Sequence, residues 1–277
     1  MNDIFDSLIA IANNTGQSVP DLLRHHLLEA VLRRLPANGE PDFVLRGSMI
    51  TRLWAAPFPR IANDIDYLGT FANSVRDAAE RFLPALQRDA HDGVRFDHRR
   101  CSAKGIWEES EFPGVRFTLW ADVLGKEQST TVDVGFGDPL VPPAAVAEYP
   151  LLTGDVAHVW AVHPATLIGW KLHGLAEWGE SRWRPKDLLD LWLLTGRFEL
   201  PPSTLAEAIR FAFVSRGYAA GDAQRTLENS CWKTFSAEVR WNAFRQKRPE
   251  LPIPEAIFPT LTAVRDRLRP ALDLLRS

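Results

Sequence analysis

The sequence predicts an α/β protein: a mixed sheet with flanking helices over residues 1–158, followed by a helical lobe over residues 159–277. Three observations predict it. Between residues 43 and 136, short apolar runs alternate with helical patterns, which is how a mixed sheet and its covering helices read. After about residue 158 the strand-like runs give way to helical spacing. A chain of 277 residues with 45% hydrophobic and 24% charged residues is also large and apolar enough for a sizeable core.

The elements follow in order. Leu22, Leu23, Leu27, Leu28, Val31 and Leu32 recur at helical spacing, predicting a helix from Pro20 to Arg34 that Pro36, Asn38 and Gly39 end. Phe43-Val44-Leu45 reads as a strand, Gly47-Ser48 breaks it, and Met49 to Ala55 restarts with helical composition. Asp64 to Leu68 alternates acidic and apolar residues and reads as a strand. Asn73 to Gln87 reads as a helix capped by Asn73, with Pro84 disturbing its last turn. Val94–Phe96, Val115–Asp122 and Thr130–Phe136 follow as strands joined through Gly and Pro. Helices are then expected over Pro164–Trp178, Pro185–Leu194 (ending at Gly196), Pro202–Ser215, Ser230–Gln246 and Ala256–Leu275.

Composition narrows the class. Cys101 and Cys231 are far apart and fit neither a disulfide framework nor a zinc site. The opening MNDIFDSLIAIANN is acidic rather than basic, so no signal peptide is expected. Asp155, His158, His163 and Pro164 interrupt the most apolar stretch, Leu151 to Trp170, so no membrane span is expected and the protein is placed in the cytoplasm. The net charge of −3 is uneven, with residues 201–277 at +4 and the remainder at −7. A mildly basic C-terminal part either meets an anionic partner such as RNA or simply carries solvated helix faces. The ten Trp read mostly as packing anchors, and Trp183, among Arg182, Arg184 and Lys186, either packs or stacks a base.

Three elements carry chemistry. A Gly-Ser pair between a strand and a helix lets backbone approach a ligand, adds a hydroxyl, and offers the free N–H groups of a helix start, a natural seat for phosphate. Gly47-Ser48 is such a pair, though most Gly-Ser pairs are turns. Asp64 and Asp66, two apart on a strand, project from one face, where their charges repel unless a cation such as Mg²⁺ joins them or water screens them. Asp133, an acid among β-branched residues, either faces solvent or completes a metal site and accepts a proton from an attacking hydroxyl. Further along, Lys171 lies on a helix among apolar neighbours and calls for an anionic partner unless it snorkels. Asp187 and Asp190 share one helical face, and Asp187 also stands near a helix start, where the dipole favours it.

Together, the strand-Gly-Ser-helix unit, the Asp-x-Asp strand and an Asp on a later strand resemble the nucleotidyltransferase superfamily. At finer grain the chain resembles the AbiEii/AbiGii-type nucleotidyltransferase toxins, through Val44-Leu45-Arg46-Gly47-Ser48, Arg60-Ile61-Ala62-Asn63-Asp64-Ile65-Asp66, Thr131-Val132-Asp133-Val134, Lys171-Leu172-His173-Gly174-Leu175 and Arg184-Pro185-Lys186-Asp187-Leu188-Leu189-Asp190-Leu191. The resemblance implies that Gly47 and Ser48 contact nucleotide phosphates and that Asp64, Asp66 and Asp133 hold Mg²⁺ or Mn²⁺. It implies further that Lys171 reaches the triphosphate, that Asp187 is the last motif's acid with Asp190 in support, and that Arg60 is structural or phosphate-facing. Arg46 departs from the pattern where such families often carry a second Gly, and Ala62 where a hydroxyl residue is usual.

The implied activity is Mg²⁺-dependent transfer of a nucleoside monophosphate from an NTP to an acceptor hydroxyl. The implied acceptor is RNA, such as a tRNA 3′ end, and the implied partner is a cognate antitoxin. Two alternatives stand beside it: a nucleotidyltransferase for small molecules such as antibiotics, which an acidic acceptor pocket would favour, and a nucleotide-binding regulatory protein without turnover.

Overall fold

A computed structural model describes residues 2–55, 62–109, 112–249 and 251–276. Contacts divide the chain into two compact units, one of Met1–Leu53, Ile61–Gly137 and Ala144–Ala161, the other of Trp54–Arg60, Asp138–Pro143 and Val162–Ser277.

The first unit is built on an eight-stranded mixed sheet. Its strands are β1 (Phe43–Arg46), β2 (Ile65–Gly69), β3 (Val94–Phe96), β4 (Ser102–Ile106), β5 (Gly114–Val123), β6 (Lys126–Phe136), β7 (Ala145–Pro150) and β8 (Val156–Ala161). Their order is β3-β5-β6-β2-β1-β8-β7, with β4 also on β5. β2 pairs parallel to β6 and β1 parallel to β8, while the other pairings are antiparallel. The long β5–β6 hairpin turns at Leu124-Gly125, both with positive φ.

Three helices accompany the sheet: α1 (Asn2–Thr15), α2 (Val19–Arg34) and α4 (Val75–Phe82), with the short α3 (Gly47–Trp54) leading out of β1. Ser18 starts α2 by accepting the Asp21 N–H, with Pro20 in the first turn. The leucines of α2 are buried as their spacing predicts, and Leu22, Leu23 and Leu27 cluster with Leu8 of α1 and with Val94, Ala121 and Val123. Phe82 of α4 stacks on Phe117 of β5 at 4.2 Å between ring centroids. One face of β5 is thereby covered with apolar helix side chains, and polar groups are left to the other.

Two polar contacts are buried within this packing. Arg34 holds Asp92 through two hydrogen bonds of 2.6 and 3.1 Å and also donates to the carbonyls of Ala30 and Val94. His25 faces Glu29 at 3.1 Å, and both Glu29 oxygens accept the Leu152 N–H. His25 and His26 are therefore packing residues, whereas His91 and His98 lie at the surface.

The second unit is helical: α5 (Pro164–Arg182), α6 (Pro185–Arg197), α7 (Pro202–Val214), α8 (Asp222–Glu228), α9 (Phe235–Gln246) and α10 (Ile257–Asp273). No described residue after Ala161 belongs to a strand. A proline in the first turn opens each of α5, α6 and α7. Where α5 crosses α7, a side chain on Gly169 would meet the Ala208 carbonyl oxygen at 2.8 Å. Only glycine lets the helices approach that closely. No described helix is long and apolar enough to cross a membrane.

Element ends differ from the sequence expectation for local reasons. The helix expected from Asn73 is capped instead by Ser74, whose hydroxyl accepts the Asp77 N–H, and it becomes a 3-10 turn over Leu83–Gln87 at Pro84. The expected helix from Ser230 splits into a 3-10 turn over Ser230–Lys233 and α9, whose cap is Thr234. Both cysteines are free thiols, Cys231 buried and Cys101 half-buried. Trp183 is buried edge-on to Trp232 at 5.1 Å, which excludes base stacking in this arrangement.

His173 of α5 is buried edge-on to Phe213 and Tyr218, and its Nε2 finds no hydrogen-bond partner. Burial pushes its pKa below the ordinary 6.5, with Arg216 pushing the same way and the charges of Glu177 and Asp138 opposing. The unfolded chain therefore binds a proton that the folded one refuses, so this contribution to stability is present above about pH 6.5 and lost as the pH falls toward the folded value. The melting temperature should drop between about pH 7.5 and pH 5.5, and His173→Phe, which keeps the ring packing, should shrink the drop. An unchanged pH profile for this variant would show that the imidazole is not held neutral by the fold.

Candidate active site

The first unit brings five charged residues into a single row across adjacent strands. Arg46 of β1 lies opposite Asp66 of β2, Asp66 opposite Asp133 of β6, and Asp133 opposite Arg116 of β5. Lys104 of β4 lies in turn opposite Arg116. Directly paired residues project from the same face of a sheet, so the row reads cation, carboxylate, carboxylate, cation, cation. Asp64, in the bend just before β2, adds a third acid, with its Oδ1 3.4 Å from the Ser48 hydroxyl.

Gly47 and Ser48 stand beside these acids. Gly47 has φ +67° at the turn from β1 into α3, and a Cβ built there would fall 2.0 Å from Asp66 Oδ2. The glycine is required twice, by its left-handed backbone and by the carboxylate occupying the space where a side chain would be. Ser48 is buried, and its hydroxyl lies 3.4 Å from Asp64 Oδ1 and 3.5 Å from the Asp64 carbonyl oxygen, long contacts that orient it toward the acid. On the far side, a side chain on Gly135 would lie 2.4 Å from Arg46 Nη2, so this glycine makes room for the Arg46 guanidinium.

Arg116 clamps Asp133. Its Nε and Nη2 donate to Oδ1 and Oδ2 at 2.6 Å each, a fork-to-fork pair. The Arg116 pKa is raised first by that hydrogen bond, and the charges of Asp133, Asp64 and Asp66 add to it against a partial burial penalty. The guanidinium thus feels all three acids. Sequence reasoning did not single out Arg116, because only the antiparallel register of β5 on β6 places it opposite Asp133.

Hard carboxylate oxygens on Asp64 and Asp66 suit Mg²⁺, which binds one or two carboxylates together with substrate phosphates. Among the described residues, no three metal-ligating side chains stand close enough to enclose an ion, and Arg116 takes both oxygens of the third acid. The donor set therefore fits a cation held by two acids, with Asp133 engaged elsewhere. Arg60, expected near the phosphates, lies outside the described residues.

The late motifs form their own cluster in the second unit. Lys171 Nζ of α5 lies 2.9 Å from Asp187 Oδ1 and 2.8 Å from Asp190 Oδ2, both on α6 and both buried. Arg184 Nε reaches Asp187 Oδ2 at 2.7 Å. The half-buried lysine does have anionic partners, among them the two acids that share one turn of α6.

Gly47 and Ser48 thus form a turn at the start of α3 beside the Asp64 and Asp66 carboxylates. The same fold occurs in solved structures at low identity. One is a candidate nucleotidyltransferase from H. pylori, with 13% identity, a TM-score of 0.57, and 94% of this chain and 98% of that chain covered. Another is JHP933 from Helicobacter pylori, with 14% identity, a TM-score of 0.54 and 94% of each chain covered. No curated protein matches the chain significantly. The chain belongs to the family of the nucleotidyl transferase AbiEii toxin of type IV toxin–antitoxin systems, whose sequence profile matches residues 30–267. It is therefore a nucleotidyltransferase of the toxin class, with an NTP as substrate and a cognate antitoxin implied.

Proposed function

We propose that the protein transfers a nucleoside monophosphate from an NTP to a hydroxyl of RNA, such as a tRNA 3′ end, in a Mg²⁺-dependent reaction in the cytoplasm, where NTPs are found. The observation that carries this reading is the placement of Asp64 and Asp66 beside the Gly47 turn, with Asp133 next in the row. An RNA acceptor is supported by membership of a toxin family and by the net charge of +4 over residues 201–277.

In this reading the N–H groups at the start of α3 and the Ser48 hydroxyl hold the phosphates of the NTP. Asp64 and Asp66 would hold the divalent cation, which neutralises phosphate charge and lowers the barrier to in-line displacement. Asp133 accepts the proton of the acceptor hydroxyl as its oxygen bonds to the α-phosphorus and the bond to the β-phosphate bridge breaks, releasing pyrophosphate. By family resemblance Lys171 is assigned to the triphosphate and Asp187 is the last motif's acid with Asp190 in support; within the second unit these three residues form one ion cluster.

The test is incubation with labelled NTPs, Mg²⁺ and total RNA. Label should enter RNA and should vanish with Asp66→Ala, while circular dichroism shows the fold intact. Label on small hydroxylic acceptors but not on RNA would replace the acceptor class. Label that survives Asp66→Ala would refute the site.

A further inference from the structure

Arg116 has no place in the chemistry proposed above, yet it occupies the third acid completely. Its fork takes both Asp133 oxygens at 2.6 Å, and Asp133 is nearly closed off, with 10% of its side chain exposed against 38% for Arg116. Asp133 sits within β6, between Asp66 of β2 and Arg116 of β5. The arginine, between Asp133 of β6 and Lys104 of β4, has a long, partly exposed side chain, and the neighbouring lysine charge does not hold it in place.

We propose that Arg116 is a built-in counter-ion that masks Asp133, so that a divalent cation gains the third carboxylate only by displacing the Arg116 guanidinium. Arg116 is then a positioning residue that sets how tightly the acids hold a metal and when Asp133 is released to accept a proton. Its place in the row supports this: Asp66 and Asp133 are adjacent like charges, and Arg116 stands next to Asp133 as Arg46 stands next to Asp66. The inference rests on the metal reading above.

The experiment measures Mn²⁺ affinity of the full chain by isothermal titration, with free Mn²⁺ followed by electron paramagnetic resonance. Arg116→Gln should bind Mn²⁺ about tenfold more tightly than wild type, since it removes the competing cation. Arg116→Lys keeps the charge but loses the fork, should fall between the two, and serves if the Gln variant fails to fold. The gain should disappear in Arg116→Gln combined with Asp133→Asn, because the freed carboxylate is what the metal would use. Unchanged or weaker binding in Arg116→Gln overturns the inference. So does a gain that persists without the Asp133 carboxylate, which would mean that Arg116 acts through its charge alone. If wild type shows no Mn²⁺ binding that Asp64→Asn removes, the metal reading itself fails, an outcome distinct from a flat Arg116 series.

Discussion

Lys171→Met is expected to destabilise the protein by about 3–5 kcal/mol, the usual cost of removing one partner from a buried ion cluster. Asp187 and Asp190 are fully buried, and Lys171 Nζ lies within 3 Å of an oxygen on each. Without the ammonium, two carboxylates a turn apart on α6 face each other in a low-dielectric interior, and Arg184 still reaches Asp187 at 2.7 Å. Urea denaturation of wild type and variant measures the loss. Adding Asp187→Asn and Asp190→Asn to the variant should restore much of it, since amides carry no charge to neutralise. A Lys171→Met protein as stable as wild type would show that the cluster is solvated and not a core element. If that protein folded but lost transfer activity, the lysine would matter for chemistry more than for packing.

Gly47→Ala should lower nucleotidyl transfer about a hundredfold, the scale of effect produced when reacting groups shift by about 1 Å. The added methyl would fall 2.0 Å from Asp66 Oδ2, so the carboxylate must move or the turn must open. Backbone at φ +67° adds strain for any residue with a Cβ, and about 1–3 kcal/mol of stability should be lost in the same substitution. The two readouts separate the causes. Gly39 has a similar φ of +64° but open space around its would-be Cβ, so Gly39→Ala should lose a comparable increment of stability with little change in transfer. Equal activity losses in both would indicate a general effect of glycine replacement and remove Gly47 from the site.

Much of the sheet was legible because its longest strands are apolar runs separated by Gly and Pro. Val115–Asp122 and Thr130–Phe136 were readable in that way; β5 buries every second residue, whereas β6 is buried almost throughout from Thr130 onward. β4, β7 and β8 were not. Ser102–Ile106 is an edge strand with no fully buried residue, and Ala145–Pro150 buries only Tyr149, so neither strand has an apolar face to display. β8 alternates, but with His158 and two alanines it merged into the apolar stretch that runs on into α5. The helix α1 went unread although Leu8 is in the core, because its other buried contacts are partial.

The candidate site divides in the same way. Asp64 and Asp66 were legible from a spacing of two, and Asp187 and Asp190 from a spacing of three, since both are local periodicities. The flanking arginines were not, because what matters for them is which strand lies alongside which. Arg46 stood out only as a departure from a family pattern, and it proves to face Asp66, with Gly135 leaving room for its guanidinium. Lys171 announced a need for an anion, but the sequence offered no means of choosing between a ligand and the protein's own acids.

The parallel pairing of β2 with β6 has a consequence for how the chain matures. Parallel neighbours cannot be joined by a tight hairpin, so Asp66 and Asp133 come together only after the intervening β3, β4 and β5 have been threaded and the loop between them closed. Such distant contacts form slowly compared with helix or hairpin growth. A partly synthesised chain that ends before β6 holds Asp64 and Asp66 without the strand that carries Asp133, so the row of charges is assembled only once that late strand has emerged.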